Sequence, residues 1–157
     1  MSHVTDVKLK IRDLESLKEA AEKCGLELRE GQKTYAWWGT YLGDSHQFGS
    51  HDPTQFGKCE HALRVPGEHP CNGSTGPWEI GVVPALDGDG YELLYDTYGG
   101  AGRRLTERVG KNADKLRREY AAASASRKAR AALSKKGFTI TREDLANGGI
   151  RLRLKRR

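Results

Sequence analysis

Trp78–Asp96 reads WEIGVVPALDGDGYELLYD, two apolar-rich runs on either side of Asp87-Gly88-Asp89-Gly90. Glycine and aspartate tolerate the positive φ that a tight reversal needs, so the stretch predicts an antiparallel hairpin, Trp78–Val83 against Tyr91–Tyr98. Toward the amino terminus, His61–Val65 predicts a further strand, set off from the hairpin by a polar stretch holding Pro66-Gly67 and Cys71-Asn72-Gly73-Ser74-Thr75-Gly76-Pro77. Leu26–Trp38 reads as strand with a turn near Glu30-Gly31. Gly39–Gly57 then loses periodicity and collects Gly, Asp, Ser, His and Pro, the composition of a long irregular surface loop. At the start of the chain Thr5, Val7, Leu9 and Ile11 alternate with Asp6, Lys8, Lys10 and Arg12, the period of a strand with one wet face. Asp13 is placed to cap a helix whose apolar stripe is Leu14, Leu17, Ala21 and Cys24, and Gly25 can take the left-handed stop.

Downstream of the hairpin, Gly99-Gly100-Ala101-Gly102-Arg103-Arg104 has the composition of a phosphate-cradling loop but lacks its Lys-Ser/Thr, and reads as a flexible connection. Asn112–Lys136 contains neither Pro nor Gly and is rich in Ala, Lys, Arg and Glu, which predicts a helix of about six or seven turns ended by Gly137. Its apolar face, Leu116, Tyr120 and Leu133 amid alanines, is thin. Phe138–Arg142 and Ile150–Lys155, joined through Asn147-Gly148-Gly149, predict a closing hairpin that buries Phe138, Ile140, Ile150, Leu152 and Leu154. The order β-α-β, β-β-β, α-β-β specifies an α+β fold: a mainly antiparallel sheet with two helices on one face, one of them long. The 157 residues suit a single α+β domain, 1–157, with an irregular loop 39–57, a polar insertion 69–77 and a basic C-terminal portion 111–157.

Charge divides the chain. Residues 1–110 carry 12 Lys and Arg against 17 Asp and Glu, whereas residues 111–157 carry 15 against 4. Such an excess favours a polyanion, so the expected partner is nucleic acid, RNA or DNA, or an acidic protein surface. If Ile150, Leu152 and Leu154 point inward, Arg151, Arg153 and Lys155 share the opposite face, with Arg156 and Arg157 just beyond. Their spacing is about 7 Å, close to that of successive phosphates on one strand. Arg127, Lys128 and Arg130, with Lys135 and Lys136 at the helix end, extend the predicted patch or complement the helix dipole. For base stacking the better aromatic residues are Tyr35, Trp37, Trp38 and Tyr41, and one of the adjacent tryptophans should face outward.

Cys59-Glu60-His61 and His69-Pro70-Cys71 form a palindromic C-x-H-x7-H-x-C, donors that suit zinc, which makes Cys59, His61, His69 and Cys71 a candidate structural metal site. The competing reading is a hydrogen-bonded His61 in phase with Leu63 and Val65, with Cys59 beside it. His46 and His51 are potential extra ligands in the long loop. Three cysteines, Cys24, Cys59 and Cys71, argue for reduced thiols or metal ligands over a disulfide scaffold. Asp87 and Asp89 lack the later oxygen ligands of a calcium loop, and no serine sits in a nucleophile elbow. The longest apolar runs fall well short of the ~20 residues of a spanning helix, so no membrane is expected and the predicted location is cytoplasmic.

The opening Met1-Ser2-His3-Val4 with its strand and Asp13-Leu14 helix, the segment Gly57-Lys58-Cys59-Glu60-His61-Ala62-Leu63-Arg64-Val65-Pro66-Gly67, the strand Trp78-Glu79-Ile80-Gly81-Val82-Val83 and the strand Gly90-Tyr91-Glu92-Leu93-Leu94-Tyr95-Asp96 together resemble the family called domain of unknown function 1257, with plastid, cyanobacterial, bacterial and phage members. The resemblance implies a compact intracellular α+β protein. It transfers no activity or catalytic residue, and His69–Pro77 is an insertion relative to it, so His69 and Cys71 draw no support from it. The expected function is that of a small non-enzymatic accessory protein that binds nucleic acid through its basic helix and hairpin within a ribonucleoprotein or phage-related assembly. The alternatives are an interaction module or inhibitor that docks an acidic partner and, third, a zinc-dependent or thiol hydrolase.

Overall fold

Alternation in β1 (Val4–Ile11) sends Val7 and Ile11 to one side of a sheet and Val4 to the other. The computed structural model describes residues 4–40 and 51–157. Asp13 caps α1 (Leu14–Lys23) by accepting from the Glu15 amide at 3.1 Å and from the buried Ser16 hydroxyl, and that hydroxyl is the main reason its carboxyl is held below the ordinary value. The main sheet adds β2 (Glu27–Glu30), β3 (His61–Arg64), β4 (Ile80–Pro84) and β5 (Tyr91–Asp96), in the order β1-β5-β4-β3-β2 with every pairing antiparallel. β1 and β2 therefore lie at opposite edges, and α1 carries the chain between them.

One face of the sheet, with Val7, Ile11, Leu63, Ile80, Val82, Leu93 and Tyr95, packs on the helices through Leu17, Ala21, Leu105, Val109, Leu116 and Tyr120. Full burial of each large aliphatic side chain here is worth about 1.5–3 kcal/mol. Tyr120 also reaches the β1–α1 junction, where its hydroxyl accepts from the amides of Arg12 at 3.0 Å and Asp13 at 3.3 Å. The opposite face, with Val4, Ala62, Val83 and Leu94, is covered by Tyr35, Trp37, Phe56 and Cys59. The α+β class, the mainly antiparallel sheet and the long helix are as the sequence predicts.

Several local expectations are corrected. Gly99-Gly100-Ala101-Gly102 does not form a flexible connection but opens α2 (Gly99–Val109). Gly102 is buried so close to the end of β5 that a Cβ there would lie 2.2 Å from the Thr97 carbonyl carbon, so the glycines admit a helix packed tightly on a strand end. A 3-10 turn, Lys111–Ala113, follows, with Asn112 and Ala113 at φ 53° and 55°, and the long helix α3 (Asp114–Leu133) starts only after it. Leu26–Trp38 is regular strand only over β2, with a single bridge from Thr34 to Lys58 farther on. Loop 39–57 is no mere surface loop in its described part: Pro53–Gln55 forms a 3-10 turn, and His51 and Phe56 are buried. Residues 41–50 of that loop lie outside the described residues. The insertion at 69–77 closes on itself and on the aromatic segment, Trp37 donating its amide to Asn72 at 3.0 Å and Trp78 its indole N–H to the Gly73 carbonyl at 2.9 Å.

The closing strands β6 (Phe138–Asp144) and β7 (Ile150–Arg156) do not join the main sheet; they form a sheet of their own. None of the five residues expected in its core is buried: Phe138, Ile140, Ile150 and Leu152 are half-buried and Leu154 is 54% exposed. The reason lies in what the hairpin packs on. Both strands lie along α3, and the hairpin loop comes near Arg118, so α3 is covered on one flank by the main core and on another by β6–β7. An alanine-rich helix with no strong apolar stripe suits a position between two partners.

Candidate functional site

Antiparallel register decides what the hairpin shows to solvent. Ile140 pairs with Leu154, Arg142 with Leu152 and Asp144 with Ile150, so these six share one face; Thr139, Thr141 and Glu143 share the other with Lys155, Arg153 and Arg151. Arg142 turns the first face toward α3, its guanidinium giving Glu119 two hydrogen bonds of 2.6 and 2.9 Å and Asp144 two of 2.7 and 3.0 Å. The carboxylates raise the Arg142 pKa, Glu119 foremost. Arg151, Arg153 and Lys155 consequently form an exposed stripe directed away from the helix. Glu143 accepts from Arg153 at 3.0 Å and Arg151 at 3.5 Å, which leaves three cations to one carboxylate on that face. Arg156 pairs with Phe138 and falls on the opposite face, and the Arg157 amide closes the open end on the Gly137 carbonyl at 2.7 Å.

Of the predicted helical cations, Arg127 is engaged by Asp13 at 3.2 Å and so serves to fasten α3 to the start of α1. Lys128, Arg130, Lys135 and Lys136 are exposed and, among the described residues, make no ion pair. The aromatic candidates offer no stacking platform beside them. Tyr35 and Trp37 are buried, Trp37 edge-on to Phe56 at 5.7 Å, and Trp38 is half-buried between Trp78 and Tyr98 at 6.4 and 5.6 Å. Tyr41 lies outside the described residues, as does His46.

The Cys/His quartet does not assemble. Cys59 is buried with its thiol on the Gln32 carbonyl at 3.2 Å, and burial pushes that thiol up to about 12. His61 accepts from the Gly31 amide through Nδ1 at 3.0 Å and packs edge-on to Tyr91 at 5.1 Å, the hydrogen-bonded role that competes with ligation. His69 and Cys71 are exposed on the insertion. Among the described residues the one group of three or more potential ligands that converges is Asp6, His51 and Glu92, each with an atom within 4.8 Å of the others. The pairing of β1 with β5, which a single sequence does not disclose, brings Asp6 to Glu92.

The covered sheet face carries a second polar feature. Glu79, 3% exposed, accepts from Gln32 at 2.8 Å and from the Ala36 amide at 2.9 Å, at the wall of a cleft of about 640 Å³ shared with Lys58, Arg64 and Asn72. The two carboxylate oxygens thereby fix the irregular segment 32–36 over the sheet. Comparison with family models, with curated proteins and with solved structures returned no match for this chain. No helix among the described residues is long and apolar enough to cross a membrane.

Proposed function

We propose that this protein binds nucleic acid through the outward face of the β6–β7 hairpin, as an accessory protein without catalysis of its own. The observation that carries the reading is the register that sets Arg151, Arg153 and Lys155 on one exposed face, about 7 Å apart and directed away from α3. A row of cations at that interval can follow a phosphate backbone, while the absence of exposed aromatic rings from the face points to contact with phosphates instead of stacked bases. Arg156, Arg157, Lys135 and Lys136 lie at the same end of the chain and add to the local positive potential. Family membership and assembly context, phage or ribonucleoprotein, belong to the same proposal.

A salt series of binding isotherms on duplex and single-stranded oligonucleotides tests it. Replacing Arg151, Arg153 and Lys155 together by serine should weaken binding and remove about 2 to 3 from the slope of log K against log salt. Binding with a wild-type slope in the triple variant refutes the assignment. Failure to bind nucleic acid at low salt, with one acidic protein retained in stoichiometric amount, turns the same stripe over to the protein-docking alternative.

A further inference from the structure

We infer that Asp6, His51 and Glu92 form a binding site for one divalent first-row transition-metal ion, separate from the basic hairpin. The three residues come from three segments: β1, the loop before β3, and β5. Asp6 lies opposite Leu94 in the β1–β5 ladder, so Glu92, two residues along β5, projects from the same face. His51 sits over that face, 7% exposed, with Nε2 2.6 Å from Glu92 Oε2. One atom from each side chain falls within 4.8 Å of the other two. An ion with ligand bonds of about 2.0–2.2 Å holds its donors roughly 3–4.4 Å apart, so ligation needs the His51–Glu92 contact to open by about half an ångström or somewhat more while the three atoms settle within that span.

Two further features distinguish this group from a chance cluster of acids. The first is the construction that delivers the imidazole. Asp52 caps the Pro53–Gln55 turn through the Thr54 amide at 2.9 Å, and Phe56 locks the end of the turn into the core against Trp37. His51 is thus presented by a fixed turn. The second is the donor set: two half-buried carboxylates and one imidazole converge on one point, and a dication bound there would be held by two negative donors and a neutral third. One nitrogen and two oxygens suit Zn²⁺, Mn²⁺ or Fe²⁺ better than Mg²⁺ or Ca²⁺, which favour all-oxygen sets. Three protein ligands leave a coordination position for water or a small oxyanion. His51 also borders an apolar cavity of about 350 Å³ with Cys59, Val83, Leu86 and Leu94, room for a ligand larger than water.

The test is calorimetric titration of chelator-treated full-length protein with Zn²⁺ and, separately, Mn²⁺. One equivalent of at least one ion should bind, with His51→Asn and Glu92→Gln each weakening it about 10-fold or more, and Cys71→Ser and His69→Asn leaving it unchanged. Absence of saturable binding up to about 1 mM of either ion, or wild-type affinity in His51→Asn, overturns the proposal. Should the variants fail to fold, X-ray absorption of the zinc-loaded wild type decides: an oxygen and nitrogen shell near 2.0 Å supports the site, and a sulfur scatterer at about 2.3 Å refutes it in favour of the cysteines.

Discussion

Arg142→Ala removes the fork that fixes the basic hairpin to α3. The side chain is 26% exposed, its partner Glu119 only 12%, and the two hydrogen bonds between them are 2.6 and 2.9 Å long. A hydrogen bond to a charged group contributes roughly 1.5–3 kcal/mol, and partial solvent access at the arginine end screens the pair, so the net loss is about 2 kcal/mol. An isolated two-stranded hairpin is marginal in water, so the loss should appear as local opening of β6–β7 and not as failure of the main sheet. At about 1.4 kcal/mol per decade this is an acceleration of roughly 30-fold in hydrogen exchange. The assay is native-state exchange by NMR, with Thr141 and Arg153, a hydrogen-bonded pair of the ladder, compared against Val82 and Leu93. Equal acceleration in both sheets, or none in the hairpin, refutes the view that Arg142 holds a separable unit in place. A double-mutant cycle with Glu119→Gln should recover most of the energy as coupling between the two residues.

Gly81→Ala sets a Cβ 2.4 Å from a ring carbon of buried Tyr35, so it should cost about 1–3 kcal/mol, read as a lower urea midpoint with little change in slope, and wild-type stability would show that the ring yields freely. Burial pushes the Cys24 thiol up to about 11 and the Cys59 thiol up to about 12, whereas Cys71 is exposed. At pH 8 a thiol reagent should therefore modify one cysteine quickly in the native protein and three in urea, and fast modification of Cys59 would contradict its burial.

The central hairpin was legible because Asp87-Gly88-Asp89-Gly90 states the turn outright, and Lys10 of β1 and Arg12 just beyond it then hold its two aspartates in ion pairs. α2 was not legible, since a run of glycines signals a loop to any reading of local preference, and the need for Gly102 arises only from the backbone of Thr97 beside it. The cationic stripe followed from strand alternation alone. Its underside did not: five apolar residues in a hairpin suggest a core, and only the position of α3 shows that they meet a helix already committed to another layer. His51 could be noticed as a histidine but not placed, because its partners are set by pairing between the first and fifth strands.

The interposed helix has a mechanical consequence. Its 20 residues make a rod of about 30 Å, fastened along its middle by the Tyr120 hydroxyl and the Arg127 guanidinium to the corner where the first strand turns into the first helix, and bearing the cationic ribbon on another flank. If the proposed polymer lies across that ribbon, its load would fall on the same helix that holds the Arg12–Asp13 corner, so loosening either attachment of the helix should weaken the other.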